Sequence, residues 1–164
     1  MINKKICMLG AFSAGKTSLV QRYVYSIFSD SYISTIGVKI SKKRIVTGEQ
    51  PVTMILWDLE GKDDFVEINL SYLKGAMGFF VVADLTRKET LDIALQIRNN
   101  AVKIIGEAVP NILLLNKADI EIREISDQQI EELSSLDMPI FLTSAKTGEN
   151  VENAFNLLAD RMLM

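Results

Sequence analysis

Eight residues, Gly10-Ala11-Phe12-Ser13-Ala14-Gly15-Lys16-Thr17, constrain this chain more tightly than any other stretch of it. Two glycines with four residues between them, followed by Lys and Thr, fit a phosphate-binding pattern. Small residues at Ser13, Ala14 and Gly15 let backbone N–H groups turn inward around a polyphosphate and form an anion nest. A helix opening near Lys16 and running on through Ser18 adds unsatisfied N–H groups and the positive end of its dipole. Lys16 would supply a point charge to the terminal phosphates, and Thr17 a hydroxyl to a magnesium ion. The alternative, a chance glycine-bearing surface loop, conflicts with the context. Ile6-Cys7-Met8-Leu9 is an apolar run suited to a strand buried on both faces. Leu19, Val20 and Tyr23 then recur at helical spacing. A strand, a small-residue turn and a helix, in that order, predict a nucleotide-phosphate site.

The remainder reads as alternating strands and helices. Ser26 to Thr35 is polar, with few core-forming positions. Val38 to Val46 alternates partly, as an edge strand does, and Thr47-Gly48-Glu49-Gln50-Pro51 is a turn into a second strand, Val52 to Trp57. Asp58 to Leu73 is irregular and then helical. Met77 to Ala83 and Ile112 to Leu115 are continuous apolar runs, the mark of interior parallel strands. Between them Leu91, Ala94, Leu95, Val102 and Ile105 make one helix face, with Thr86 and Glu89 as its capping box. Ser126 and Gln129 form a second capping box, on a helix reaching about Leu136. Ile140-Phe141-Leu142 is the last strand. Asn150 to about Met162 is the last helix, with Val151, Ala154, Phe155 and Leu158 inward.

At 164 residues, with no internal repeat or linker, the chain is expected to form one domain spanning 1–164. Helices between parallel strands give a three-layer α/β architecture. A net charge of −3 and a pI near 5.1 give no electrostatic case for nucleic acid. Lys42-Lys43-Arg44, the only basic run, reads as a solvated strand edge. With Cys7 as the single cysteine no internal disulfide is possible. No signal peptide or membrane-spanning run is present, so a cytoplasmic location is expected.

In parallel sheets, ligands sit beyond the carboxyl ends of the strands. That rule selects Gly10 to Thr17, Asp58 to Gly61, Asn116 to Asp119 and Ser144 to Lys146. Within Asn116-Lys117-Ala118-Asp119, the Asp119 carboxylate can accept hydrogen bonds from the N1–H and exocyclic amine of guanine. Adenine has neither donor on that edge, and a site built on such pairing rejects the wrong ligand by up to roughly 10⁴–10⁵. Asn116 can bond the other edge of the base or tie loops together, and Lys117 can lie over the ring. The alternative, that Asn and Asp merely form a turn, is weakened by Ser144-Ala145-Lys146. There the Ala145 N–H can reach the guanine oxygen while Lys146 covers the ring.

With these motifs together, the chain resembles a Ras-superfamily small GTPase, and most closely the Rab branch. GAFSAGKT, YISTIG (Tyr32 to Gly37), WDLEG (Trp57 to Gly61), NKAD and SAK fall in the family order and cover essentially the whole domain. The resemblance implies the small G-protein form of the P-loop NTPase fold. That is a six-stranded, mostly parallel sheet with one antiparallel edge hairpin strand and helices on both faces. It further implies that Thr35 binds magnesium and the γ-phosphate of GTP. Asp58 holds magnesium through water, the Gly61 N–H touches the γ-phosphate, and Phe28 packs edgewise on the base. Loss of the γ-phosphate releases the Thr35 and Gly61 segments, and a partner reads the change. Trp57 and Tyr72 match two members of the Rab aromatic cluster, Ile40 stands at the third position, and an effector is expected on that patch. A monomer is expected.

The chain also departs from the family. Lys62 replaces the usual water-orienting Gln; an ammonium donates but cannot accept a hydrogen bond. Phe12 occupies a usually small position, Glu60 stands where Ala is usual, and Asp63 and Asp64 also differ. Catalysis would therefore rest on Lys16, Thr35, Gly61 and an altered Lys62, and slow hydrolysis of magnesium–GTP is expected. The alternative is a GTP-locked interaction module that hardly turns over. A P-loop ATPase or nucleotide kinase is disfavoured by Asp119. The end Asp160-Arg161-Met162-Leu163-Met164 has no cysteine for a prenyl group. No covalent membrane anchor is expected, as in a trimmed chain or a soluble Rab-like protein of the kind found in bacteria.

Overall fold

A strand that is apolar on both sides has to lie between two layers, and the first strand does. In the computed structural model, which describes residues 2–29, 37–59 and 70–164, β1 (Ile2–Gly10) has Ile6, Cys7 and Met8 wholly buried. Ile6 and Met8 pack into one core, while Cys7 and Leu9, pointing the other way, pack into a second. Burial pushes the Cys7 thiol up to about 11, only partly opposed by the charge of Lys5, so it stays protonated at neutral pH.

The element order is β1, α1 (Lys16–Tyr25), β2 (Val38–Thr47), β3 (Gln50–Leu59), α2 (Leu70–Leu73), β4 (Gly78–Asp84) and α3 (Glu89–Ile105). β5 (Asn111–Asn116), α4 (Asp127–Glu132) with a short 3₁₀ turn, β6 (Ile140–Leu142) and α5 (Val151–Arg161) follow. The strands form one sheet in the order β2-β3-β1-β4-β5-β6. Every neighbouring pair is parallel except the β2–β3 hairpin at one edge. One face of the sheet is covered by α1 and α5, through Leu19, Val20, Tyr23, Ala154, Phe155 and Leu158. The other is covered chiefly by α3, through Leu91, Ala94, Ile97 and Ala101. The sheet and its two layers are those expected of the small G-protein fold.

Four local expectations need correction. The Thr86–Glu89 capping box on α3 does not form: the helix begins after Lys88 without a side-chain cap. The Thr86 hydroxyl donates instead to the Asp84 carboxylate at 2.6 Å, a buried acid that competes better than a helix end. Asp58 is not beyond its strand but inside β3, which continues to Leu59 because β2 pairs with it that far. The hairpin turn is shorter than expected, with only Gly48 and Glu49 between the strands, both at positive φ (55° and 69°). The Ser126–Gln129 capping box on α4 is present in full. In the basic run, Lys43 is not simply solvated. Its ammonium donates to the Tyr23 carbonyl at 2.6 Å and lies 3.8 Å from the centre of the Tyr23 ring.

Candidate functional site

The carboxyl ends of β1, β3, β4, β5 and β6 converge on one rim of the sheet. Gly10 opens the loop there with φ 147°, and a Cβ on it would sit 2.4 Å from the Val82 carbonyl oxygen, so only glycine lets β1 lie this close to β4 as the chain turns. Gly15 has φ 103°, and its Cβ would meet the Asn116 amide nitrogen at 2.2 Å. That side chain donates to the Ala14 carbonyl at 3.0 Å and accepts from the Thr143 hydroxyl at 3.2 Å. Of the two roles expected for Asn116, tying loops together is the one visible.

Lys16 is 6% exposed, and its ammonium donates to the carbonyls of Gly10 (3.1 Å) and Ala11 (2.8 Å), closing the loop on itself. Burial, with a smaller contribution from the guanidinium of Arg87, lowers its pKa to about 8 despite the opposing charge of Asp58. Ser13, at φ 58°, and Ser18 are half-buried, and Ala14 is fully buried. The Thr17 hydroxyl donates to the Asp58 carboxylate at 2.5 Å, both groups being almost wholly buried. An alcohol and a carboxylate brought together from α1 and β3 are hard oxygen donors. They fit magnesium, which binds one or two protein oxygens and keeps several waters.

On the base side, the Ser144 hydroxyl donates to Asp119 at 2.7 Å and accepts the Thr147 N–H at 3.0 Å, which fixes the direction of the carboxylate. The Ala118 N–H donates to the Thr143 carbonyl at 2.9 Å and so joins the two loops. Ala145 is buried, whereas Asp119 and Lys146 are exposed. Lys117 is held at φ 69°, a region that costs a non-glycine residue about 1–2 kcal/mol. Its ammonium is not free over a ring plane but bound to Asp84 at 2.8 Å, leaving its aliphatic stem for any stacking role. Phe28 is half-buried and packs against the α1–α5 core. Thr35, Glu60, Gly61 and Lys62 lie outside the described residues, as do Asp63 and Asp64.

Sequence reasoning missed three residues here. Asp84, the last residue of β4, is wholly buried and accepts from Lys117, from Arg87 (3.2 Å) and from the Thr86 N–H and hydroxyl. Burial works to raise its pKa, but the hydrogen bonds from Lys117 and Thr86 outweigh it and hold the carboxyl below its ordinary value. Arg87 also donates to the Phe12 carbonyl at 2.5 Å. Arg22 on α1 donates to the Ala145 carbonyl at 2.7 Å and to that of Lys146. The one available signal was an acid ending an otherwise apolar run, Gly78 to Asp84. Away from the rim, the hairpin register sets Ile40 opposite Trp57, and the Trp57 and Tyr72 rings lie 6.2 Å apart. Ile40 is 48% exposed, and the Lys5 ammonium sits 3.8 Å from the Trp57 ring centre.

A fold of this topology, with the glycine-bearing loop after β1 tied to the loops after β5 and β6, is that of the P-loop nucleotide-binding class. Over residues 5–164 the sequence matches the model of the Ras family, and the chain belongs to that family. It is 34% identical to the Ras-related protein Rab-7b of Mus musculus, over 99% of this chain and 84% of the relative. It is 33% identical to Ras-related protein Rab7 of Drosophila melanogaster, over 97% and 80% of the two chains. The same 33% identity holds for Ras-related protein Rab-27B of Homo sapiens, over 97% and 79%. The protein is thus a Rab-like member of the Ras superfamily, a group of GTP-binding switch GTPases. Among the described residues no helix is long and apolar enough to cross a membrane.

Proposed function

We propose that this chain binds GTP and GDP with magnesium and hydrolyses GTP slowly, its segments around Thr35 and from Gly61 to Tyr72 reporting the bound nucleotide to a protein partner. The observation that carries the reading is the rim itself. A buried lysine in the loop after β1, an alcohol–carboxylate pair and an exposed, oriented Asp119 all belong to the carboxyl-end rim of one sheet.

In this reading Asp119 selects guanine by accepting two hydrogen bonds, with Ala145 N–H on the guanine oxygen and Lys146, Lys117 and Phe28 against the ring. Ser13, Ala14, Gly15, Lys16, Thr17 and Ser18 hold the phosphates. Thr17, Thr35 and Asp58 hold magnesium, which when bound neutralises charge developing on the phosphates. Lys16, whose ammonium now rests on two carbonyls, contributes the other positive charge. Hydrolysis further needs a group that accepts a hydrogen bond from the attacking water. Lys62 has no acceptor. The Ile40/Trp57/Tyr72 patch, apolar with one exposed aliphatic member, is the proposed effector surface.

Single-turnover phosphate release from the magnesium–GTP complex tests the turnover claim. The wild type is expected to be slow, and Lys62→Gln to raise the rate by about tenfold or more, since a positioned water is a principal requirement of this chemistry. A fast wild type, or a variant no faster, contradicts the role given to Lys62. Lys62 also favours a second reading, a GTP-locked interaction module. Stimulation of hydrolysis by a cell extract separates it from a working switch.

A further inference from the structure

The charged group at the end of β4 gives the loops after β1 and β5 a second tie, besides the bond from Asn116 to the Ala14 carbonyl. Asp84 receives Lys117 from the base loop at 2.8 Å and Arg87 at 3.2 Å on the same carboxylate oxygen, Oδ2. The other oxygen, Oδ1, takes the Thr86 N–H and hydroxyl at 2.8 and 2.6 Å. Arg87 then reaches from this buried acid to the phosphate loop, where it donates to the Phe12 carbonyl at 2.5 Å. A guanidinium can serve two acceptors at once through its planar fork, which a lysine ammonium does less well. We propose that Arg87, anchored on Asp84, is a positioning residue for the phosphate loop, and that Asp84 couples this loop to the base loop through Lys117.

Holding the Phe12 carbonyl outward, toward Arg87, fixes the following amide plane and therefore the direction of the N–H at Ser13, the first of the small-residue donors. Pre-setting a donor in this way reduces the ordering cost of binding an anion. The same acid holds the Lys117 ammonium, which keeps that residue in its left-handed backbone conformation, strain that survives only where the surroundings over-determine it. Removing the acid leaves two part-exposed cations beside each other with no shared anion, so Lys117 and Arg87 both lose their positions. Arg87 is 31% exposed, so its loss threatens the fold less than that of Asp84.

The inference rests on the guanine-nucleotide reading above, and GDP is the probe. Release of a fluorescent GDP from wild type, Arg87→Ala, Arg87→Lys and Asp84→Asn is measured beside the ³¹P spectrum of bound GDP. Arg87→Ala is expected to speed release about 10- to 100-fold, the range for losing a hydrogen bond to a charged group. It is also expected to shift the β-phosphorus resonance. Arg87→Lys restores release only partly, and Asp84→Asn releases faster than Arg87→Ala because it frees both loops. Release within twofold of wild type in Arg87→Ala, with an unmoved ³¹P spectrum, overturns the inference, whether or not the melting temperature falls. Full restoration by Arg87→Lys overturns the bidentate tie. A wild type that binds no GDP overturns the parent reading as well, and so is distinguishable from failure of this inference alone.

Discussion

Asp84 shows how one buried residue sets the electrostatics of its surroundings. Its carboxylate is wholly buried, where an unpaired charge is costly, yet two cations and two neutral donors keep it ionised. Its folded pKa lies below the unfolded value, so the folded state gains from deprotonation. That contribution is complete above the unfolded carboxyl value of about 4 and is lost as pH falls through the lower folded one. Asp84→Asn, which removes the buried anion shared by two part-exposed cations, is expected to lower stability at pH 7 by about 1.5–3 kcal/mol. Urea denaturation of both proteins from pH 7 to pH 3 checks the sign: the gap is expected to hold down to about pH 4 and narrow below it. A gap that stays constant, or widens in acid, contradicts the account. The residue is invisible to motif reading because what makes it matter comes from Phe12 and Lys117, each more than thirty positions away.

Among the elements, α5 gives the clearest case of packing that the sequence announces. Val151, Ala154, Phe155 and Leu158 recur at helical spacing, and all four are buried against the sheet. Phe155 lies between Tyr23 of α1, stacked at 4.0 Å, and Phe80 of β4, tilted at 4.5 Å, so one ring joins two helices to the central strands. Phe155→Ala is expected to cost about 3–5 kcal/mol and to lower the melting temperature by about 6–20 °C. Calorimetry measures it, and a shift below 2 °C would mean that the neighbours collapse into the space. The α3 start behaves differently. Thr86 and Glu89 have cap spacing, yet the hydroxyl goes to Asp84, and only the three-dimensional position of that acid decides the contest. Likewise, Asp58 reads as the first residue after a strand, but the antiparallel partner β2 prolongs β3 past it. Element identity is local; element ends depend on neighbours.

At the scale of the whole molecule, the candidate site is the set of strand ends, and most of its residues could be picked out before any fold was known. Glycine at position 10 is required by the approach of the β4 backbone and at position 15 by the Asn116 side chain, and Asn116, Asp119 and Ser144 form hydrogen bonds that tie the loops at the strand ends together. Such residues leave a pattern because few substitutes have the same size or donors. Arg22 and Arg87 leave none, since they brace loops through carbonyl oxygens, and a carbonyl is present at every position, while Asp84 leaves only the faint mark of an acid ending an apolar run. The account comes down to one rim holding a purine nucleotide, with Asp119 choosing the purine. The most direct test is equilibrium competition of a labelled GDP by unlabelled GDP and ADP, in excess magnesium, on wild type and Asp119→Ala. The wild type is expected to prefer guanine by roughly 10⁴-fold or more, and Asp119→Ala to lose about 10²-fold of GDP affinity while ADP binding stays weak. Equal competition by ADP and GDP on the wild type would contradict it.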